Sequence, residues 1–126
     1  MPISFSIKDR IGTFTNIGDV EMAQGIAVLE EGLTQMAKSD LTPVFLFDLS
    51  QSTENRSVEE LQLIAATIHE RLPNACMALL VTTDVSFGLS RMFGTFASSL
   101  NMEASVFRDR DECMAWCLAR TTLPNS

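Results

Sequence analysis

The 126-residue chain carries one histidine, His69, and three cysteines, Cys76, Cys113 and Cys117. That inventory narrows the available chemistry at once. The common zinc spacings and the serine or cysteine triads need histidine partners that are absent here. There is no Gly-x-Gly-x-x-Gly and no Gly-Lys-Ser/Thr cradle for phosphate. His69 falls on the margin of a helical apolar stripe, between Glu70 and Arg71, a core-edge position rather than that of a catalytic base. Cys113 and Cys117, four apart in "DECMAWCLAR", share one helix face with Trp116. Asp109, Asp111 and Glu112 around the first turn disfavour thiolates, so the pair reads as small buried hydrophobes and not as a redox or metal site. Asp48 and Asp84 end apolar runs, where α/β sheets place active sites but where aspartates also form ordinary turns, and we read them as turn formers. No metal, cofactor or catalytic group is expected.

The elements that would position these residues follow from periodicity. "ISFSI" alternates Ile3, Phe5 and Ile7 with serines, and "IGTFTN" after "KDR" is its antiparallel partner. Asp19 is placed to cap a helix bearing Met22, Ile26, Leu29, Leu33 and Met36 and ending near Lys38. The unbroken run Val44 to Phe47 belongs in a sheet covered on both faces. In "SVEE", Ser57 and Glu60 form a capping box for a helix with Val58, Leu61, Ile64, Ala65, Ile68 and Leu72 on its apolar side, stopped by Pro73. "CMALLVTT" is a second buried strand, Thr82 to Phe96 lies on a third helix, "EASVF" is the last strand, and Asp109 caps a fourth helix. This alternation predicts a single α/β domain over residues 1–126, with a mixed, mainly parallel sheet of about five strands and four helices.

Composition fixes the expected partners. Nine basic against 16 acidic residues give a formal charge of -7, which repels phosphate backbones and anionic lipid surfaces, so nucleic acid is excluded. No apolar run approaches the length of a membrane span, and the N-terminus does not read as a signal peptide. An odd cysteine count cannot pair fully within one chain, and it suits a reducing compartment. The expected location is the cytoplasm.

The third helix is the least conventional segment. Leu89, Met92, Phe93, Phe96 and Leu100 cluster on one side and should face the sheet, whereas Phe87, Arg91, Gly94, Thr95 and Ser98 lie opposite or flanking. Full burial of Phe87 is worth about 2 kcal/mol, so a partner, a ligand or its own loop should cover it. Gly88 and Gly94 each cost up to about 1 kcal/mol relative to alanine in a helix interior, making this helix easy to displace or open to close approach. On the preceding helix Leu63 also stands away from the apolar stripe. Together the two helices offer an apolar patch suited to pairing, and a homodimer is expected.

"FLFDLS", the capped helix, "ALLVTTDVSFGLSRMF" and "VFRDRDECMAWCLA" together resemble the small bacterial SpoIIAA-like proteins of the STAS/SEC14 type. The resemblance covers nearly the whole chain and is densest in Phe87 to Phe93 and Val106 to Trp116. It implies a mixed sheet with helices on its faces, no cofactor and no enzymatic activity. Two functions follow from it. One is binding of an apolar or lipid-like ligand under a mobile third helix by Phe87, Leu89, Met92, Phe93 and Phe96, with Arg91 at an anionic head group and transient association with a membrane. The other is a protein-interaction role of the anti-sigma factor antagonist type. There Ser57, nine residues beyond Asp48 of "DLS", takes the place of the phosphorylated serine, with "ENRSVEE" standing where that group has Asp-Ser-Ser-Gly.

Overall fold

The computed structural model describes residues 2–53 and 55–122. The first two strands, β1 (Ile3–Lys8) and β2 (Ile11–Gly18), form an antiparallel hairpin. Asp9 and Arg10 join them with φ of 54° and 67°, the positive pair that a two-residue hairpin turn requires. Three β-α-β crossovers follow: α1 (Met22–Met36), β3 (Val44–Ser52), α2 (Val58–Arg71), β4 (Cys76–Leu80), α3 (Asp84–Ser99) and β5 (Glu103–Phe107). The chain closes with α4 (Arg110–Leu118). Strands run in the order β1-β2-β3-β4-β5, with β2 through β5 parallel. The expected α/β architecture, with its antiparallel strand at one side, is present.

Alternation along the buried strands divides the core in two. Phe14, Phe45, Met77 and Leu79 face α1, α2 and α3, whose Leu29, Leu33, Leu61, Ala65, Ile68, Phe93 and Ala97 pack on them. Phe14 is the hub: its ring lies 4.7 Å from Phe5, 5.8 Å from Phe45 and 5.2 Å from Phe47. Gly32 lets α1 settle on this cluster, since a Cβ there would stand 2.5 Å from the Phe14 ring. Among the described residues the other face belongs to α4, where Val44, Leu46, Cys76, Ala78 and Leu80 meet Cys113 and Cys117.

Helix ends follow local chemistry. Ser57 and Glu60 make the reciprocal capping box expected of them, Thr83 caps α3 through the Ser86 amide, and Asp109 caps α4 through the Glu112 amide. Asn101, at φ 63°, ends α3 in the left-handed conformation while the Met102 amide returns to the Ala97 carbonyl. The start of α1 departs from expectation. Glu21, not Asp19, holds the N-cap position, and it makes no side-chain cap bond. Val20 between them is buried in the core and delays the helix.

Candidate functional site

The residues singled out on α3 do not converge on one site. Leu89 and Phe93 line a cavity of about 110 Å³ where α1, α2 and α3 meet over the sheet, together with Met22, Ile26, Leu61 and Ile64. Phe87 and Arg91 stand on the other flank of α3, in a shallow groove beside β5. Phe96 is half-buried against the main core and lines neither space. Met92 does not face the sheet as its angular position suggested; it is 37% exposed. A stripe counted at 100° per residue is wider than the surface a helix covers when it also packs against a neighbouring helix, and Met92 falls beyond that contact. Leu63 is 53% exposed, as its position opposite the stripe of α2 implied.

Polar groups enter the cavity wall at points that periodicity alone did not reveal. Asn16 and Ser90 are buried there, and Ser52, Ser86 and Arg56 complete the lining. The Arg56 guanidinium donates to the Val20 carbonyl at 2.6 Å, tying the loop before α2 to the loop before α1. Two of these residues carried a readable signal. Asn16 continues the inward face that Phe14 begins, and Ser90 stands among the core positions of α3. A polar residue at a core position marks a place where a hydrogen-bond partner has to be supplied.

A third region lies beyond the carboxyl ends of β3 and β4. Ser57 is exposed at the first turn of α2, followed by Val58, 44% exposed although it was assigned to the apolar side. At the first turn of α3, Val85 is 61% exposed. The Thr82 hydroxyl donates to the Ser50 carbonyl at 3.1 Å and holds the two strand ends together. Asp84 opens α3 and pairs with Arg108 at 2.7 Å. The Arg108 guanidinium in turn lies 4.7 Å from the centre of the Phe87 ring, and that of Arg91 lies 5.9 Å from it, so two cations stand within reach of the ring.

The remaining candidates are structural. Asp48 is not a turn former at a strand end but a buried residue inside β3, on the α4 face. It accepts from the Ser50 amide and hydroxyl and from Arg110 at 3.0 Å. Burial pushes its carboxyl up, but these hydrogen bonds and the Arg110 charge outweigh that and hold it below the ordinary carboxylate value. Cys113 and Cys117 are fully buried, as their sequence position implied. The bond Cys117 makes to Cys113, together with burial, holds its thiol far above the usual range. Burial and then Glu103 push Cys76 up to about 11. The bond from Cys117, received by Cys113, holds that thiol below its ordinary value, but all three cysteines are buried away from solvent. Among the described residues no group of histidine, cysteine and carboxylate side chains is arranged to hold a metal, and no helix is long and apolar enough to cross a membrane.

Comparison with known proteins defines the fold class. No protein-family model matches the chain, and no curated protein sequence does. Solved structures do match. An uncharacterized DUF3478-family protein with a SpoIIAA-like fold, from Shewanella loihica PV-4, superposes with a TM-score of 0.61 at 14% identity over 91% of each chain. An anti-sigma factor antagonist from Mycobacterium paratuberculosis superposes with a TM-score of 0.59 at 14% identity, over 91% of this chain and 92% of that one. The chain therefore has the SpoIIAA-like fold that its sequence resembled.

Proposed function

We propose that the chain is a non-enzymatic regulatory module that binds a protein partner at the end of the domain where β3 and β4 run into α2 and α3. The observation that carries this reading is the exposure of both Val58 and Val85 in the first turns of those helices, with the hydroxyl of Ser57 beside Val58 in the chain. Exposed apolar side chains held on rigid helix starts and edged by Glu59, Asp84 and Arg108 have the make-up of an interface core with a polar rim. The anti-sigma factor antagonist among the structural neighbours supports the same class of activity. A phosphate on Ser57 would meet the positive end of α2 but also Glu59 and Glu60, so modification there would change the charge of this surface sharply. The test is affinity capture from an extract of the organism that makes the protein. A partner held by the wild type and lost by Val58→Asp/Val85→Asp supports the reading; a partner held equally by both defeats it.

A second reading, binding of an apolar small molecule, rests on the cavity under α3. An apolar cavity of about 150 Å³ engineered into another protein admits benzene, so a space of about 110 Å³ fits a guest of roughly that size. A lipid acyl chain would require the helices to part. Leu89 and Phe93 are the members of the predicted ligand set that such a guest would touch. In this reading Arg56, rather than Arg91, is the cation in the cavity wall. Native mass spectrometry of protein purified from cells, with Leu89→Trp to fill the space, tests it: a co-purifying small molecule that the variant loses is the expected result, and its absence from both proteins removes the reading.

A further inference from the structure

Among the described residues β5 has one strand neighbour, β4, so the sheet ends there. The Val81 amide donates to the Phe107 carbonyl at 2.9 Å, which turns the backbone groups of Phe107, and by alternation those of Ser105 and Glu103, toward β4. Ala104 and Val106 therefore hold their N–H and C=O groups toward the open edge. Proteins usually blunt such an edge with charge, proline or a bulge. The stretch Ala104-Ser105-Val106 has none of these, and its pairing with β4 runs without a break. Alongside lies the groove of about 590 Å³ walled by Phe87, Arg91, Gly94, Thr95 and Ser98. A methyl group added at Gly94 would meet no atom within 4 Å.

We propose that β5 pairs antiparallel with β5 of a second copy of this chain, joining the two sheets into one and packing the two α3 helices against each other. Three observations favour a second copy over any other occupant. First, a two-fold axis through Ser105 sets Ala104 opposite Val106 of the second copy and the reverse, so the outward-facing backbone groups of both chains meet as hydrogen-bonded pairs. Second, α3 packs on β5 at the edge of the sheet, so its symmetry mate arrives on the same face beside it. Gly94 and Ser98 on the facing flank leave room for that approach, and the groove is then filled. Third, the same register sets no like charges opposite each other, because Glu103 faces Phe107 of the second copy while it stays paired with Arg120 of its own chain. An extended peptide from another protein would satisfy the strand edge but leave the outer flank of α3, with Phe87, facing water.

Sedimentation velocity on the full chain, across a range reaching millimolar concentration, tests this. A reversible dimer is expected for the wild type. Val106→Pro removes a donor that faces outward and leaves the β4 ladder intact, and it should weaken association by about tenfold or more with the circular dichroism spectrum unchanged. Gly94→Glu, on a different element, should do the same. Ser105→Cys, at the axis, should crosslink the two chains on mild oxidation, because a directly opposed pair there falls within disulfide reach. Leu63→Asp, on the exposed side of α2, should leave the dimer intact. A wild type that stays monomeric at the highest concentration overturns the proposal and leaves the edge to a peptide of another protein. So does a dimer that survives both Val106→Pro and Gly94→Glu, or one that Leu63→Asp abolishes.

Discussion

The two faces of the sheet solve the same packing problem with opposite results. One is roofed by three helices and built around stacked phenylalanines, yet it retains a cavity where the helices meet. The other is roofed by one short helix, holds small thiols and aliphatic side chains, and is tied at its rim by Asp48 to Arg110 and by Glu103 to Arg120. Three rods laid on a twisted sheet cannot all meet without a gap, whereas one rod can be fitted to the strands beneath it. The difference teaches that room for a guest comes from the number of elements converging on a face and not from how apolar that face is.

The sharpest way to break this contrast is to remove its hub. Phe14→Ala should destabilise the fold by about 3–5 kcal/mol in urea unfolding, and a loss under 1 kcal/mol would mean that the three-helix face is looser than its ring contacts imply. On the opposite face, Asp48→Asn should cost about 1–3 kcal/mol, because it weakens the bonds from Arg110 and Ser50 at a buried position. The sign with pH follows from the lowered carboxyl pKa. The stabilisation is complete above the unfolded-state value of about 4 and is lost as pH falls through the lower folded-state value. The variant should therefore lose part of the acid limb of the stability profile.

Two glycines of α1 sharpen the comparison within one helix. Gly32→Ala pushes a methyl group into the Phe14 ring and should cost about 1–3 kcal/mol. Gly25→Ala meets nothing nearer than 3.6 Å beside the cavity and should be neutral or stabilising by up to about 1 kcal/mol. Equal effects at the two sites would erase the distinction between filled and unfilled core. The smallest effect concerns the thiols. Alkylation of Cys76, Cys113 and Cys117 at pH 8 should be slow in the folded protein and fast in urea, and rapid modification in buffer would show the α4 face to be loosely closed.

The elements were legible where one segment decides its own fate. The apolar run Val44 to Phe47, the "KDR" turn and the caps at Ser57 and Asp109 are local signals, and each appears in the structure. The site was legible only in part, because a cavity belongs to several elements at once. Periodicity showed that Phe87 and Arg91 leave the stripe of α3, but whether they meet Leu89 and Phe93 depends on where β5 and α2 lie. The start of α1 escaped for the same reason: Val20 is held by the core it joins and not by its neighbours in sequence. Asp48 was misread because a carboxylate in a buried strand becomes intelligible only once Arg110, 62 residues away, is seen beside it.

Strand order equals chain order throughout this sheet. Each strand after β1 thus meets a partner already synthesised, and no later strand has to be inserted between two earlier ones. The growing chain can assemble like a fan opened rib by rib, its unfinished edge always the newest strand. Among the described residues β5, the newest rib, has a partner on one side only, as β1 has at the other edge.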